Sequence, residues 1–281
     1  MHAVQPPPAE SRRVRVGDIT LHVRIDGGDG PWVVLAHALG ADHTLWDATA
    51  RHLAPRYRVL RYDLRGHGQS DAPIGAYSMI RLADDVAALM DALEVPEAHF
   101  AGISVGGMIG QTLALRYPER MLSLTLVDTI NRTPLEAHPM WHERIGQVEA
   151  HGMAGVADST LQRWLTAPFR AAHPDEAGRI RQMLLATPVH GYVGTGLAIM
   201  AFDLAGAIAR IHCPTLVVTG EEDQSAPPAM AREIAGAIPA ARLEILPQAA
   251  HLSHIEQAAR FHAVLDAFLG NAACGAQCAA P

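Results

Sequence analysis

Apolar and polar residues follow two different periodicities along the chain, and the first 130 residues show both. Short apolar runs that favour buried strands alternate with longer stretches of helical periodicity. The predicted strands lie at 13–16, 19–25, 32–36, 59–62, 100–103 and 122–127, and the predicted helices at 78–93 and 105–117. Strands that alternate with helices are typical of a parallel sheet covered on both faces. The sequence therefore predicts an α/β fold with a mostly parallel central sheet.

The pattern changes between residue 131 and about residue 204. Strand-like alternation stops there, and the periodicity predicts helices at 140–151, 156–165, 174–185 and 191–200. Strands and helices then alternate again, at 215–219, 228–238, 243–246 and 254–269. We expect a discontinuous core at 1–130 and 205–270, a helical cap at 131–204 inserted after the sixth strand, and a flexible tail at 271–281. The cap should cover the carboxyl edge of the sheet.

One pentapeptide at the junction of a predicted strand and a predicted helix matches a motif of catalytic serines. Gly102-Ile103-Ser104-Val105-Gly106 matches G-x-S-x-G, the nucleophile elbow. A serine in so tight a turn has strained backbone angles, and its neighbours two residues away must be small. The turn exposes the hydroxyl at a helix N-terminus, where the backbone N–H of Val105 can face a developing oxyanion. The pattern therefore predicts Ser104 as a nucleophile.

A serine nucleophile needs a general base and a carboxylate that orients the base. In α/β-hydrolases the order along the chain is serine, acid, histidine, each at the end of a strand. Asp223 follows the predicted strand at 215–219 and is the favoured acid. Asp128, at the end of the preceding strand, is an alternative, and Glu221 and Glu222 are neighbouring competitors.

Only three of the 16 histidines follow Asp223 and so fit this order, namely His251, His254 and His262. His251 lies in the loop that leaves the last predicted strand, whereas the other two fall within the predicted closing helix. A base that must reach the serine is expected at the end of a strand. The favoured base is therefore His251.

The second oxyanion donor is expected in the loop after the strand at 32–36. That loop reads His37-Ala38-Leu39-Gly40. The backbone N–H of Leu39 is predicted to act together with that of Val105. His37 is interpreted as a packing histidine that supports the loop.

Composition and charge exclude several kinds of partner. The chain has 281 residues, of which 49% are hydrophobic, and this is enough for one large α/β domain with an insertion. Its net charge of −7, without a basic run, argues against nucleic acid and anionic membranes. Neither a secretory signal nor a membrane-spanning apolar run is evident, and three cysteines do not make a disulfide framework. We expect a cytoplasmic protein that acts on a small molecule without metal or cofactor, with a homo-oligomer left open.

Several segments together resemble the α/β-hydrolase fold superfamily over nearly the whole chain. They are Arg61-Tyr62-Asp63-Leu64-Arg65-Gly66-His67-Gly68-Gln69-Ser70, the elbow, 220–223 and 251–257. More closely, the chain is similar to 3-oxoadipate enol-lactone hydrolases (enol-lactonases), at 39–42, 46, 62–70, 141–145, 183–187 and 191–192. It departs from that family at His37 and Ala38, where serine or asparagine commonly precedes Leu-Gly.

The resemblance implies a carboxylic ester hydrolase that opens a small lactone, with 3-oxoadipate enol-lactone of aromatic-compound catabolism as the first candidate, through an acyl-enzyme on Ser104. Such a substrate carries a carboxylate, for which Arg132 is the first candidate partner and Arg144 the second. Trp141 of the cap is predicted to contact the substrate. Alternatives are a general carboxylesterase or perhydrolase, a C–C bond hydrolase of a ring-cleavage product, and a non-catalytic binder.

Overall fold

Eight strands form one central sheet in the computed structural model, which describes residues 9–277 and their side chains up to residue 272. They are β1 (Glu10–Val16), β2 (Ile19–Asp26), β3 (Trp32–Ala36), β4 (Arg58–Tyr62), β5 (Ala98–Ile103), β6 (Met121–Val127), β7 (Thr215–Gly220) and β8 (Arg242–Leu246). Their order across the sheet is β1-β2-β4-β3-β5-β6-β7-β8. Strand β2 pairs antiparallel with β1 and β4, and the other neighbours are parallel. The predicted mostly parallel sheet is confirmed.

Helices cover both faces of this sheet. The α-helices are α1 (Asp47–Leu53), α2 (Met79–Ala92), α3 (Val105–Arg116), α4 (His138–His151), α5 (Ala154–Trp164), α6 (Ala167–Ala172), α7 (Pro174–Ala186), α8 (Val189–Met200), α9 (Pro228–Ala237), α10 (Ser253–Glu256) and α11 (Ala258–Gln277). Successive side chains of a strand point to opposite faces. Along β3, Val34 joins the core under α2 and α3, whereas Val33 and Leu35 join the core under α1 and α11. Burial on both faces explains why these strands are continuous apolar runs.

Five helices, α4 to α8, lie between β6 and β7, and we call residues 131–204 the cap. Four of them match the predicted helices, whereas α6 was not predicted because its six residues are too few to show helical periodicity. Among the described residues, no single helix has both the length and the apolar character needed to cross a membrane. The consecutive helices α7 and α8, which meet at a 93° bend, pass that test only when taken together.

The end of the chain differs from the prediction in two ways. The predicted closing helix at 254–269 is two helices, because the backbone leaves helical geometry at Gln257, with φ −118° and ψ +44°. The second of them, α11, continues to Gln277, eight residues beyond the predicted end of the closing helix. Residues 278–281, like 1–8, lie outside the described part of the chain.

Candidate active site

Ser104 stands between β5 and α3 in a strained turn. Its φ is +54° and its ψ −118°, a conformation that costs a non-glycine residue about 1–3 kcal/mol. The flanking glycines permit the turn: a Cβ on Gly102 would lie 2.2 Å from the carbonyl oxygen of Gly106, and a Cβ on Gly106 would lie 2.3 Å from that of Ala36. The sequence pattern therefore folds locally as the predicted elbow.

Neighbouring segments hold the strained turn in place. The N–H of Ser104 donates to the carbonyl of Val127 at 2.9 Å, and the Thr129 hydroxyl donates to the carbonyl of Ser104 at 2.7 Å. Close packing of Thr129 on the helix allows no side chain at Gly107, whose Cβ would lie 2.7 Å from it. The end of β6 thus braces the elbow.

Asp223 and His251 form a buried pair at the carboxyl ends of β7 and β8. The Nδ1–H of His251 donates to Oδ2 of Asp223 at 2.8 Å, and Oδ1 accepts from the backbone N–H groups of Ser225 at 2.7 Å and Ala226 at 3.0 Å. Burial by itself lowers the pKa of His251, but the negative charge of Asp223 and their hydrogen bond outweigh it and raise that pKa above 6.5. His251 is thereby held in one orientation and made more basic.

The alternative acids occupy other positions. Glu221 and Glu222 are exposed. Asp128 is fully buried and accepts hydrogen bonds from the N–H of Gly220 at 2.8 Å and from both the N–H and the hydroxyl of Ser253, at 3.1 and 2.7 Å. Burial, with the nearby charge of Asp223, raises the pKa of Asp128 above its usual value. Its carboxyl group therefore ties the end of β7 to the start of α10.

The other two candidate histidines are packing residues. The ring of His254 lies 4.4 Å from that of Trp46, and His262 stacks on His52 at 4.3 Å. Burial lowers the pKa of His254 to about 3 and contributes most to lowering that of His262 to about 4. Of the three histidines that follow Asp223, the structure brings only His251 to it.

The loop after β3 places Leu39 in the wall of the cavity that Ser104 also lines. Val105 is the first residue of α3, where an N–H has no partner within its own helix. His37 fixes the loop: its Nδ1–H donates to the carbonyl of Ala38 at 2.8 Å, and its Nε2 accepts from the N–H of Leu64 at 2.9 Å. Burial lowers the pKa of His37 to about 3, so the ring is a neutral support, as interpreted from the sequence.

A cavity of about 460 Å³ lies between the core and the cap. Its lining includes, from the core, Leu39, Ser104, Met108, Asp128, Met230 and His251, and, from the cap, Thr133, Met140, Trp141, Arg144, Arg163, Trp164 and Ile199. Most of these side chains are apolar, as in sites that bind small organic molecules. The structure therefore places the predicted contact Trp141 in the same cavity as the serine and the histidine.

The position of Arg132 differs from the prediction that it binds the substrate carboxylate. It does not line the cavity; its side chain is 50% exposed and its Nη2 lies 3.6 Å from Oε2 of Glu233. Arg144 and Arg163 line the cavity instead. Sequence reasoning missed Arg163, because a lone arginine near the end of a helix carries no signal of where its side chain points.

Hydrogen bonds connect the cap to the segment around His251. Oε1 of Glu256 accepts from the N–H of Thr166 at 2.8 Å and from its hydroxyl at 2.7 Å, while Oε2 accepts from the N–H of Ala250 at 2.6 Å. The N–H of Leu252 donates to the carbonyl of Trp164 at 3.0 Å. The cap thus positions the segment that carries the candidate base.

Comparisons with known proteins point to one fold family. The sequence matches the family model described as alpha/beta hydrolase fold over residues 31–258. It is 34% identical to 3-oxoadipate enol-lactonase 1 of Acinetobacter baylyi, over 89% of this chain and 93% of that protein, and 30% identical to a putative carbamate hydrolase RutD of Pseudomonas syringae, over 86% and 94%. The enol-lactonase structure from Burkholderia xenovorans superposes with a TM-score of 0.89 at 39% identity, covering 92% of this chain and all of that one. The chain belongs to the alpha/beta hydrolase fold family.

Proposed function

We propose that the protein hydrolyses a small lactone or ester through an acyl-enzyme on Ser104, with 3-oxoadipate enol-lactone as the first substrate. The observation that carries the proposal is a strained serine that shares one cavity with His251, whose orientation and basicity are set by Asp223. The similarity to proteins named enol-lactonases directs the choice of substrate.

The chemistry follows from these positions. Oγ of Ser104 attacks the ring carbonyl while Nε2 of His251 accepts its proton, and the N–H groups of Leu39 and Val105 stabilise the oxyanion. The bond between the acyl carbon and the ring oxygen then breaks, and His251 returns the proton to the leaving enolate oxygen. The resulting enol tautomerises to the ketone. Water attacks the acyl group, again with His251 as the base, and Ser104 is released as the second carboxylic acid forms.

Hydrolysis of a carbamate is the second candidate, because several relatives are named putative carbamate hydrolases. The size of the cavity favours the lactone. A carbamate is much smaller than a cavity of about 460 Å³, which suits a ring with a side chain.

The test offers purified protein both substrates and analyses the products by chromatography. We expect 3-oxoadipate from the lactone and little turnover of carbamate. Mass spectrometry of protein quenched during turnover of 4-nitrophenyl acetate should find the acetyl group on the peptide that contains Ser104. An absence of label, or a label on another residue, would refute the acyl-enzyme.

A further inference from the structure

The two residues that flank His251 in the chain both connect to the cap. The N–H of Leu252 donates to the carbonyl of Trp164, a cap residue, at 3.0 Å. The N–H of Ala250 donates to Oε2 of Glu256 at 2.6 Å, and the other oxygen of Glu256 binds the cap. The segment that carries the base is therefore held on both sides, and one of the two connections passes through Glu256.

Glu256 makes its connection with a single carboxylate. One oxygen accepts from the N–H and the hydroxyl of Thr166, and the other accepts from the N–H of Ala250. Thr166 and Ala250 are buried, so water does not readily replace a lost hydrogen bond there. A shorter side chain at residue 256 could not span the two segments, and one of them would be released.

The ring of Trp164 extends the contact between the cap and the base. Its centroid lies 6.2 Å from that of the His251 ring, and the two rings are tilted by 37°. Both side chains are buried, and both line the cavity. The orientation of the imidazole therefore depends on the cap as well as on Asp223.

The cap also binds the loop that supplies the second proposed oxyanion donor. The hydroxyl of Thr187, which follows α7, donates to the carbonyl of Gly40 at 2.9 Å and lies 3.2 Å from the carbonyl of Met183. Gly40 has a φ of +80°, and a Cβ there would lie 3.0 Å from Cδ2 of Leu184 in α7. Leu39, whose N–H is the proposed donor, directly precedes Gly40. A second catalytic group thus depends on the cap for its position.

We propose that Glu256 and Thr187 are positioning residues, through which the cap holds the base and the oxyanion loop in catalytic geometry. The cap then contributes to the hydrolysis of every substrate, including one too small to reach its side chains. Misplacing a catalytic group by about 1 Å can cost about a hundredfold in rate, and supporting hydrogen bonds prevent such displacement. The inference rests on the proposed hydrolysis at Ser104 and explains what maintains its geometry.

Turnover of a small ester separates positioning from substrate contacts. Glu256→Asp keeps the charge but is one methylene shorter, and Thr187→Val keeps the shape but lacks the hydroxyl. Each should lower kcat for 4-nitrophenyl acetate by about tenfold to a hundredfold and change KM by less than about threefold, because catalytic groups are displaced. Thr187→Ser should regain most of the loss, since its hydroxyl can donate to Gly40. An unchanged kcat, or a loss confined to KM, would overturn the role of the residue concerned.

Two matched controls make the same chemical changes away from the cavity. Glu244→Asp shortens a glutamate of β8 that accepts hydrogen bonds from Arg260. Thr215→Val removes a buried hydroxyl at the start of β7, which donates to the carbonyl of Cys213 at 3.0 Å. Both should keep the wild-type kcat. Losses in the controls equal to those in Glu256→Asp and Thr187→Val would reduce the effect to lost stability and overturn the proposal.

The pKa of His251 shows whether the base itself has been displaced. Asp223 raises this pKa, so a loosened His251 should titrate closer to 6.5 in Glu256→Asp. The other charges near His251, those of Asp128 and Arg163, are the same in both proteins. NMR of histidine-labelled protein gives the pKa, and the signal of His251 is the one that disappears in His251→Ala. A wild-type pKa in Glu256→Asp would overturn the role of Glu256.

Thr187→Val should leave the pKa of His251 unchanged, because Thr187 binds the other loop. A shift equal to that in Glu256→Asp would overturn the assignment of Thr187 to the oxyanion loop. Should Glu256→Asp fail to fold, Thr166→Val tests the same connection, since it removes one donor to Glu256 and no charge.

The NMR titration also separates this inference from the proposed function, since it does not depend on turnover. If Ser104 is never acylated but the pKa of His251 still falls in Glu256→Asp, the proposed catalysis fails and the positioning of His251 stands. If Ser104 is acylated but Glu256→Asp keeps the wild-type kcat and pKa, the positioning role of Glu256 fails alone.

Discussion

His251 and His22 both bind an aspartate through Nδ1, yet only His251 belongs to the candidate active site. His251 donates to Asp223 at 2.8 Å, and His22 donates to Asp63 at 2.9 Å. The second arrangement even includes a serine, because the hydroxyl of Ser11 lies 2.8 Å from Nε2 of His22. By composition and hydrogen bonding, Ser11, His22 and Asp63 form a second serine–histidine–aspartate chain.

The surroundings of the two chains differ. Ser11 lies within the antiparallel edge strand β1 and pairs with Arg24, whereas Ser104 stands at positive φ before a helix N-terminus. Asp63 also accepts from Nδ1–H of His43 at 2.7 Å, so two imidazoles share one carboxylate. Burial by itself raises the pKa of Asp63, but these two histidines outweigh it and hold that pKa below its usual value.

The comparison shows that a hydrogen-bonded chain of three residues does not by itself make a serine reactive. The elbow adds a cavity beneath the cap, which Ser104 lines, and, in the proposed mechanism, two backbone donors for an oxyanion. The Asp63 chain instead joins β1 and β2 to the loop after β4. We therefore assign it a structural role, which the following experiments test against the catalytic role of the elbow.

The largest contrast is expected between the two serines. Ser104→Ala should lower kcat by up to about a million-fold, and His251→Ala likewise, because a triad acts as a unit. Ser11→Ala should leave turnover of 4-nitrophenyl acetate unchanged. Residual activity above a few per cent in Ser104→Ala, or an equal loss in Ser11→Ala, would remove the distinction.

The second-largest loss of activity is expected on substitution of Asp223. Asp223→Asn should lower kcat by about ten-thousand-fold, because asparagine favours the wrong tautomer of His251. The measurement is steady-state hydrolysis of the lactone by protein whose folding has been checked by circular dichroism. A small loss here, with a large loss in Asp128→Asn, would show that the acid follows β6 instead.

The cap provides the third test, since its side chains line the cavity of Ser104. Trp141→Ala should lower kcat/KM for the lactone by about tenfold to a hundredfold, as apolar contacts worth about 1–3 kcal/mol are lost. A small acetate ester should be affected much less because it hardly reaches the cap. Equal losses on both substrates with a lower Tm would make Trp141 a structural residue of the cap.

The pH dependence of kcat/KM should reflect the protonation of His251 and of no residue in the Asp63 chain. Protonated His251 cannot accept the serine proton, so kcat/KM should fall about tenfold per pH unit below its pKa, which Asp223 raises above 6.5. Asp63→Asn should leave this acid limb in place. A limb that moves in Asp63→Asn would link the second chain to catalysis.

The smallest effect on turnover is expected from Asp63→Asn itself. An amide cannot accept all the hydrogen bonds that reach this buried carboxylate, so the free energy of unfolding should fall by about 1–3 kcal/mol. Turnover of 4-nitrophenyl acetate should stay within about threefold of wild type. Chemical denaturation and the ester assay on the same preparation measure both.

Local rules explain how much of the site could be predicted. The two glycines around Ser104 and the order of Asp223 and His251 after it are visible in the chain, because an elbow and strand-end loops impose them. Likewise, burial on both faces makes the strands apolar runs, and these were predicted to within a few residues.

The sequence could not predict the features of the site that depend on the direction of long side chains in the packed cap. Nothing in the sequence shows where the side chains of Arg132 and Arg163 point, yet one lies beside Glu233 and the other lines the cavity. The role of Asp128 is similar, since its partners Gly220 and Ser253 are far away along the chain and meet it only when β6, β7 and α10 are assembled.

The position of the cap between β6 and β7 also sets an order of events during synthesis. Ser104 leaves the ribosome long before β7 and β8, which carry Asp223 and His251, so the elbow precedes the groups that would make it reactive. Until then β6, a strand whose seven residues include five apolar ones, has an unpaired edge while the cap residues are translated. Such edges invite pairing with other chains, and parallel pairing across a long connection forms slowly. A nascent chain that stalls within the cap therefore lacks Asp223 and His251 and is prone to aggregation.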